Sequence, residues 1–500
     1  MTTPWNNIVH TALLGTDKQP LQASALGEDL SPLAARIDTP DKAERFLQIA
    51  ALAFNYRQTG SVPLRKDGVQ LLPSAQEEDP YCSPQAFQVL VDILAEENVS
   101  LLGLWLQLCS ASGQLARPEI LPSLLQLNIT HKHLREDIFT CGGQRARWLA
   151  SLNPDWSILT GSEDPMEQQW QTGTPEQRRD VLQKLRRSDP ARALEWLQAT
   201  WSQEDVNSKV DLLRQLSVNP GEIDLPFLEG LSSEKSKKIR EEAILLLKKI
   251  PSSSLIDQYG EALQQRLVLK KERSLLGMLS KTTLSIVSPP DGQDLSPMLV
   301  QSGIEKLSNK KEYSDEEFIC YQLMSYIPLD LYTTLWQKTP EEVVKLFNED
   351  PLGKKLLPAL VLSAVHFSDG RHAVTLMQFS SVFYLDLLPL LQPQQQEYYS
   401  NKFFSSSPDS IIQYAIRRDV EWGLELAASI LRHTAKDPYR YNKSFFARII
   451  KLIPVSAEAV LDTIHPDTLP PGIAGNWASI SDAVRKLIIL KTRTHKAFNK

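Results

Sequence analysis

The sequence predicts an all-α protein whose centre is an α-solenoid, flanked by two less regular helical regions. Two observations carry that expectation. The first is an internal register: Arg178, Lys209, Arg240 and Lys271 each follow the last by 31 residues, and their neighbours keep step. Val181, Leu212, Ala243 and Ser274 form one row; Leu182, Leu213, Ile244 and Leu275 form a second; Leu185, Leu216, Leu247 and Met278 form a third. A period of this size marks stacked helical hairpins, each unable to bury its apolar stripe alone. The second observation is proline used as punctuation. Thr39-Pro40-Asp41, Ser83-Pro84, Thr174-Pro175, Asp189-Pro190 and Thr339-Pro340 each place an oxygen-bearing side chain before a proline. The oxygen caps free backbone N–H groups, and proline at the first helical position sacrifices none. Gln177 and Glu342 complete capping-box spacings after Thr174 and Thr339.

Taken in order, residues 1–160 read as an N-terminal helical region, with helices around Phe46–Tyr56 and Leu101–Leu108. Inside it, Val62–Leu72 carries Asp67-Gly68 between short apolar runs, a hairpin signal that Pro63 weakens. Thr160 to Asp164 reads as a loop. Residues 165–285 carry the repeat. A partner helix precedes each of the rows above and supplies Leu194, Leu225 and Ile256 in one row and Leu197, Leu228 and Tyr259 in another. Residues 286–299, built around Ser288-Pro289-Pro290-Asp291-Gly292, read as a linker. Residues 300–500 read as a C-terminal helical region outside the 31-residue register, with helices near Phe318–Tyr326, Glu341–Phe347, Ile411–Arg418 and Val420–Arg432.

Composition narrows the function classes. The chain has 500 residues, 42% apolar and 23% charged, enough for a large core without staples. A net charge of −6 argues against whole-protein attraction to nucleic acid or anionic membrane. Cys82, Cys109, Cys141 and Cys320 are scattered, with no C-x-x-C pair, and read as buried thiols of a reducing compartment. The N-terminus lacks a basic region followed by an apolar run, so no signal peptide is expected, and no apolar stretch approaches a membrane span. The expected location is the cytoplasm.

The candidate site is the cation ladder itself. In stacked repeats, Arg178, Lys209, Arg240 and Lys271 would line one edge and grip an acidic helix, tail or phosphate. The competing role is structural, each cation bonding a neighbouring unit. Such arrays often carry an acid six residues before the cation; Glu234 fits, whereas Thr172, Gln203 and Gln265 do not. Residues 235–273 hold ten Lys/Arg against five acids, a local basic patch that favours phosphate binding. No carboxylate and aromatic set of the kind a base-excising enzyme needs accompanies it, so nucleic acid is not the preferred partner. The acid-free run from Arg485 to Lys500 would make either a basic amphipathic helix or, preferably, a helix packed on its neighbours. Trp148, Trp156, Trp170, Trp196 and Trp201 are expected to fill the junction ahead of the repeat.

Other signals are weak. His131 and His133 are two apart and lack a third ligand nearby, so no metal is expected. His366 and His372 flank the turn Ser368-Asp369-Gly370-Arg371, but neither a nucleophile nor an oxyanion site is evident. Gly15-Thr16-Asp17-Lys18 lacks the phosphate-loop spacing. No catalytic residue, cofactor site or metal site is assigned.

Residues 224–250, with Ile239-Arg240-Glu241-Glu242-Ala243 opening the second helix, resemble a HEAT or HEAT-like repeat. Ala12-Leu13-Leu14-Gly15-Thr16, Arg147-Trp148-Leu149 with Leu152-Asn153-Pro154-Asp155-Trp156, and Asp189-Pro190-Ala191-Arg192 with Trp201 resemble a family of uncharacterised bacterial helical proteins. That resemblance covers roughly residues 5–250. It implies genomic neighbours: MoxR-type AAA+ ATPases, von Willebrand A domain proteins and SWIM zinc-finger proteins. The expectation is therefore a non-catalytic scaffold or adaptor, partnered by the ATPase or the von Willebrand A protein. The alternatives are a repeat-built enzyme, phycobilin-lyase-like or DNA-glycosylase-like, and a nucleic-acid holder.

Overall fold

The computed structural model describes residues 4–59, 76–157, 166–273, 280–289, 295–380, 382–464 and 470–499. It divides into two units, Met1–Ser74 and Ala75–Lys500. The first contains α1 (Pro4–Leu14) and α2 (Lys42–Thr59), closed over Ile8, Leu26, Leu30, Ala34, Ile49 and Ala53. Helix α2 starts later than Thr39-Pro40 predicts, because Asp41 is the cap: its Oδ1 accepts from the Ala43 amide at 2.8 Å. The hairpin expected at Val62–Leu72 lies outside the described residues.

The second unit is mainly helical and holds two cores. Its principal early helices are α3 (Pro84–Ala95), α4 (Val99–Ala111), α5 (Leu121–Thr130) and α6 (Arg135–Leu152). Next come α7 (Pro175–Ser188), α8 (Pro190–Thr200), α9 (Val206–Gln215), α10 (Leu225–Gly230), α11 (Lys237–Leu247) and α12 (Ser254–Gln264). The chain then turns into two antiparallel strands, β1 (Leu267–Arg273) and β2 (Ser280–Ile286). Helices α13 (Asp315–Met324), α14 (Leu329–Trp336), α15 (Pro340–Glu349), α16 (Pro351–His366) and α17 (Gly370–Phe379) follow. The chain closes with α18 (Leu424–Thr434), α19 (Lys443–Ile449) and α20 (Pro471–Phe498).

Residues 170–414 build one core; residues 82–150 and 404–490 share the other. The last helix explains the sharing. α20 packs on α3 and α4, burying Val484 and Ile488, and its cations reach acids from distant parts of the chain. Arg493 meets Asp92 at 2.6 Å, Lys486 meets Glu96 at 2.5 Å and Arg485 meets Asp462 at 2.7 Å. The acid-free segment is thus, through Phe498, part of a packed helix, with Arg485, Lys486, Lys491 and Arg493 matched to acids within the fold.

The capping logic holds in this unit. Thr174 and Thr339 form full capping boxes with Gln177 and Glu342, and Ser83 and Asp189 accept from Ala86 and Arg192 amides. The 31-residue register holds through three units. Val181, Leu212 and Ala243 are buried, as are Leu185, Leu216 and Leu247 in the same helices and Leu197, Leu228 and Tyr259 in the partner helices. Helices α7, α9 and α11 touch in succession. In the fourth interval the fold changes: Lys271 lies on β1, and Ser274, Leu275 and Met278 lie outside the described residues. The expected linker at 286–299 is described at both its ends but not at 290–294.

Candidate functional site

The ladder residues have three different surroundings. Arg178, on α7, donates from Nη2 to Glu204 Oε1 at 2.6 Å, and its guanidinium lies 4.5 Å from the Trp170 ring centroid. Lys209, on α9, places Nζ 5.1 Å from the Trp201 ring centroid. Trp170 and Trp201 are themselves 31 residues apart and stand eight residues before their cations. In the third unit that place belongs to Ser232, and Arg240 donates instead to the backbone carbonyls of Glu234 and Lys235. Each of these three cations therefore makes contact with residues just before its own helix. Lys271 does not: it is exposed on β1.

Glu234, the acid expected to partner Arg240, contributes its carbonyl in place of its carboxylate. Arg178, expected to lack an acid, finds Glu204 in the following unit. The tryptophans split as well. Trp170, Trp196 and Trp201 pack on the core of residues 170–414, and Trp156 packs on the other. Within the basic patch, Lys235, Lys238, Lys270 and Lys271 are exposed, whereas Arg266 is buried and paired with Glu316 at 3.2 Å.

Sequence reasoning missed the buried cations. Arg186 and Asp224 are both fully buried, and the guanidinium makes two bonds to the carboxylate, at 2.9 and 2.8 Å. Its remaining donors reach the carbonyls of Pro190, Leu216, Val218 and Asn219. The pair ties the end of α7 to the start of α10. Lys491 is likewise buried, donating to Glu421 and to the carbonyls of Lys451 and Ile453. Lys248 is buried with its ammonium 4.4 Å from the Tyr326 ring centroid and no carboxylate partner among the described residues; burial lowers its pKa. The available signal was position. Arg186 sits four residues after Leu182, and Lys491 three after Ile488, inside apolar stripes where a lone charge has to be compensated.

A pocket lies apart from the ladder. It encloses about 650 Å³ between α14 and the turn that opens α17, lined by Asp330, Phe367, Asp369, Arg371, Gln392 and Gln395 among others. Behind it His372 is 2% exposed. Its Nδ1 donates to Asp369 Oδ2 at 2.5 Å, and its Nε2 lies 3.4 Å from Asp330 Oδ1 without forming a hydrogen bond. Burial pushes the Asp369 carboxyl up, but the hydrogen bonds and charge interaction with His372, together with the Arg371 charge, outweigh it and hold the group below the usual carboxylate range. Asp369 also caps α17 through the amides of Arg371 and His372. His366 faces the other way, its Nε2 donating to the Lys248 carbonyl at 2.6 Å.

Among the described residues no group of three or more His, Cys, Asp or Glu is arranged to hold a metal ion. The rings of His131 and His133 stand 6.0 Å apart, edge to face. All four cysteines are free and buried. No described helix is long and apolar enough to cross a membrane.

These features define a mainly helical protein with buried ion pairs and a pocket lined in part by charged and amide side chains. The chain belongs to a family of unknown function, DUF5691, whose model matches residues 7–498. No curated protein and no solved structure matches it.

Proposed function

We propose that the chain is a non-catalytic adaptor that holds a protein partner on an α-solenoid of HEAT-like units in the bacterial cytoplasm. The supporting observation is the repeated environment: residues 31 apart occupy equivalent buried positions in three successive units, with α7, α9 and α11 touching in order. Arrays of this kind present long rows of side chains to macromolecules. Within this reading Arg178, Lys209 and Arg240 support the array, and Lys271 is the ladder residue left to a partner. By family resemblance the partner is a MoxR-type AAA+ ATPase or its von Willebrand A companion.

The test mixes the purified chain with each of those proteins from the same genome and measures mass by light scattering and affinity by calorimetry. A defined complex with either supports the adaptor. If neither binds at micromolar concentrations, this partner class is wrong.

A further inference from the structure

We infer that the outer edge of β1 is a docking strand for an extended acidic segment of a partner protein, which would add to the hairpin as a third strand. This deepens the adaptor reading and rests on it for its biological meaning.

Leu267 stands opposite Ile286, Leu269 opposite Leu284 and Lys271 opposite Thr282. One position before the strand, the Val287 amide donates to the Arg266 carbonyl. In an antiparallel pair, hydrogen-bonded and non-hydrogen-bonded positions alternate. Arg266, Val268 and Lys270 therefore turn their backbone groups toward β2, and Leu269 and Lys271 turn theirs away. The same alternation turns the Leu284 amide away on the other strand, where it donates to Asp350 Oδ2 at 3.0 Å, as the register requires.

The two edges are treated differently. On β2 the outward amide is met by a buried carboxylate, and α15 and α16 lie against the strand. Asp350 spends its other oxygen capping α16, through the amides of Leu352 and Gly353. On β1 no described residue pairs with the outward amide or carbonyl of Leu269 or Lys271. An open edge is a template for strand addition, in which backbone bonds give affinity and side chains give selectivity.

Charge selects the occupant. β1 carries Lys270 and Lys271. Lys270 and Lys271 are exposed and, being adjacent on a strand, point to opposite faces. An incoming strand meets a cation on either face, so acids at successive positions are favoured and a basic strand is repelled. Lysine on an edge also discourages self-pairing, which argues for a foreign strand over a second copy.

The experiment uses the full chain and, as probe, a blocked seven-residue peptide of Val and Thr with Glu at two successive central positions. Hydrogen exchange is read at the Leu269 and Lys271 amides with and without the peptide. Saturating peptide should slow both by about tenfold or more, and added salt should weaken the binding. Lys271→Pro removes an N–H that points away from β2, so the hairpin should keep its ladder while peptide binding is lost. The proposal is overturned if the peptide leaves both amides unprotected, or if the Lys271→Pro protein binds it as well as wild type does. It is also overturned if both amides are protected without peptide while light scattering shows a dimer, since the occupant is then a second copy. The two readings fail separately. Peptide protection without an ATPase or von Willebrand A complex keeps the edge and removes the partner class; a complex that Lys271→Pro leaves intact keeps the adaptor and removes the edge.

Discussion

The three helical units and the strand pair that follows them make the instructive contrast. Both stretches share one sequence register, yet Arg178, Lys209 and Arg240 ride on helices and Lys271 rides on a strand. Helices α7, α9 and α11 touch in succession, so each of the first two units meets the next. After α12 no such neighbour follows. Instead Tyr259 donates to Ser302 Oγ at 2.6 Å, Tyr326 packs 5.9 Å from Tyr259, and His366 binds the Lys248 carbonyl at the end of α11. Residues far along the chain thus occupy the place of a fourth unit. The local pattern changes as well: Leu284 and Ile286 alternate with Thr283 and Ser285, the period of a strand with one face on the core. A register of cations outlasts the packing that gives it meaning, because a surface position tolerates either backbone.

The sharpest way to break the contrast is at Arg186. Arg186→Ala leaves Asp224 charged, buried and without its guanidinium, and should cost about 3–5 kcal/mol. Urea unfolding followed by circular dichroism reads it directly. A loss under about 1 kcal/mol would mean that the pair does not hold the units together. Arg178 comes next. Its carboxylate partner is mostly buried and its guanidinium faces Trp170, so Arg178→Ala should cost about 1–2 kcal/mol. Arg178→Glu should cost more, by setting a second carboxylate against Glu204. If Arg178→Ala is neutral, the stacked cation is not part of the array.

How much of this was legible follows from where the physics is local. Helix starts depend on a cap and a proline within a few residues, so Thr174, Asp189 and Thr339 announced them correctly. At Thr39 the neighbouring Asp41 won the capping competition, which sequence alone does not rank. The repeat was legible for as long as Leu recurred at both register and helical spacing. Three things were not. The pairing of Arg186 with Asp224 spans 38 residues, and only the misplaced charge in an apolar stripe hinted at it. The sharing of one core by residues 82–150 and 404–490 depends on α20 meeting α3, a contact between the ends of the unit with no local signal. The pocket at Asp330, Asp369 and His372 joins two helices, and only its Asp369-x-x-His372 half was visible in the turn.

A pH measurement sharpens the end of the array. Burial lowers the pKa of His366 below its ordinary value near 6.5, and the nearby Lys249 and Lys248 charges push the same way. In the unfolded chain the imidazole takes up a proton first as pH falls. The folded state binds fewer protons in that window, so stability is full above about pH 6.5 and declines below it until the lowered folded value is reached. His366→Gln keeps a donor for the Lys248 carbonyl but does not titrate. The wild type should therefore lose more stability than His366→Gln between pH 7.5 and 5.5. Equal losses would show that the contact replacing the fourth unit is open to water.

The smallest effect belongs to Lys271, and its smallness is informative. Arg178, Lys209 and Arg240 each stack or bond within the fold; Lys271 is exposed and makes no such contact among the described residues. Lys271→Glu should stay within about ±0.5 kcal/mol of wild type in urea unfolding. Changing all four ladder residues at once would confuse lost stability with lost binding, because three of them support helices. The single change separates the two. If it destabilises the chain as much as Arg178→Ala does, the strand cation is as structural as its helical counterparts, and the difference between the two regions is one of backbone alone. If it leaves stability untouched while acidic peptides cease to bind, the register has been divided between holding the array together and presenting its edge.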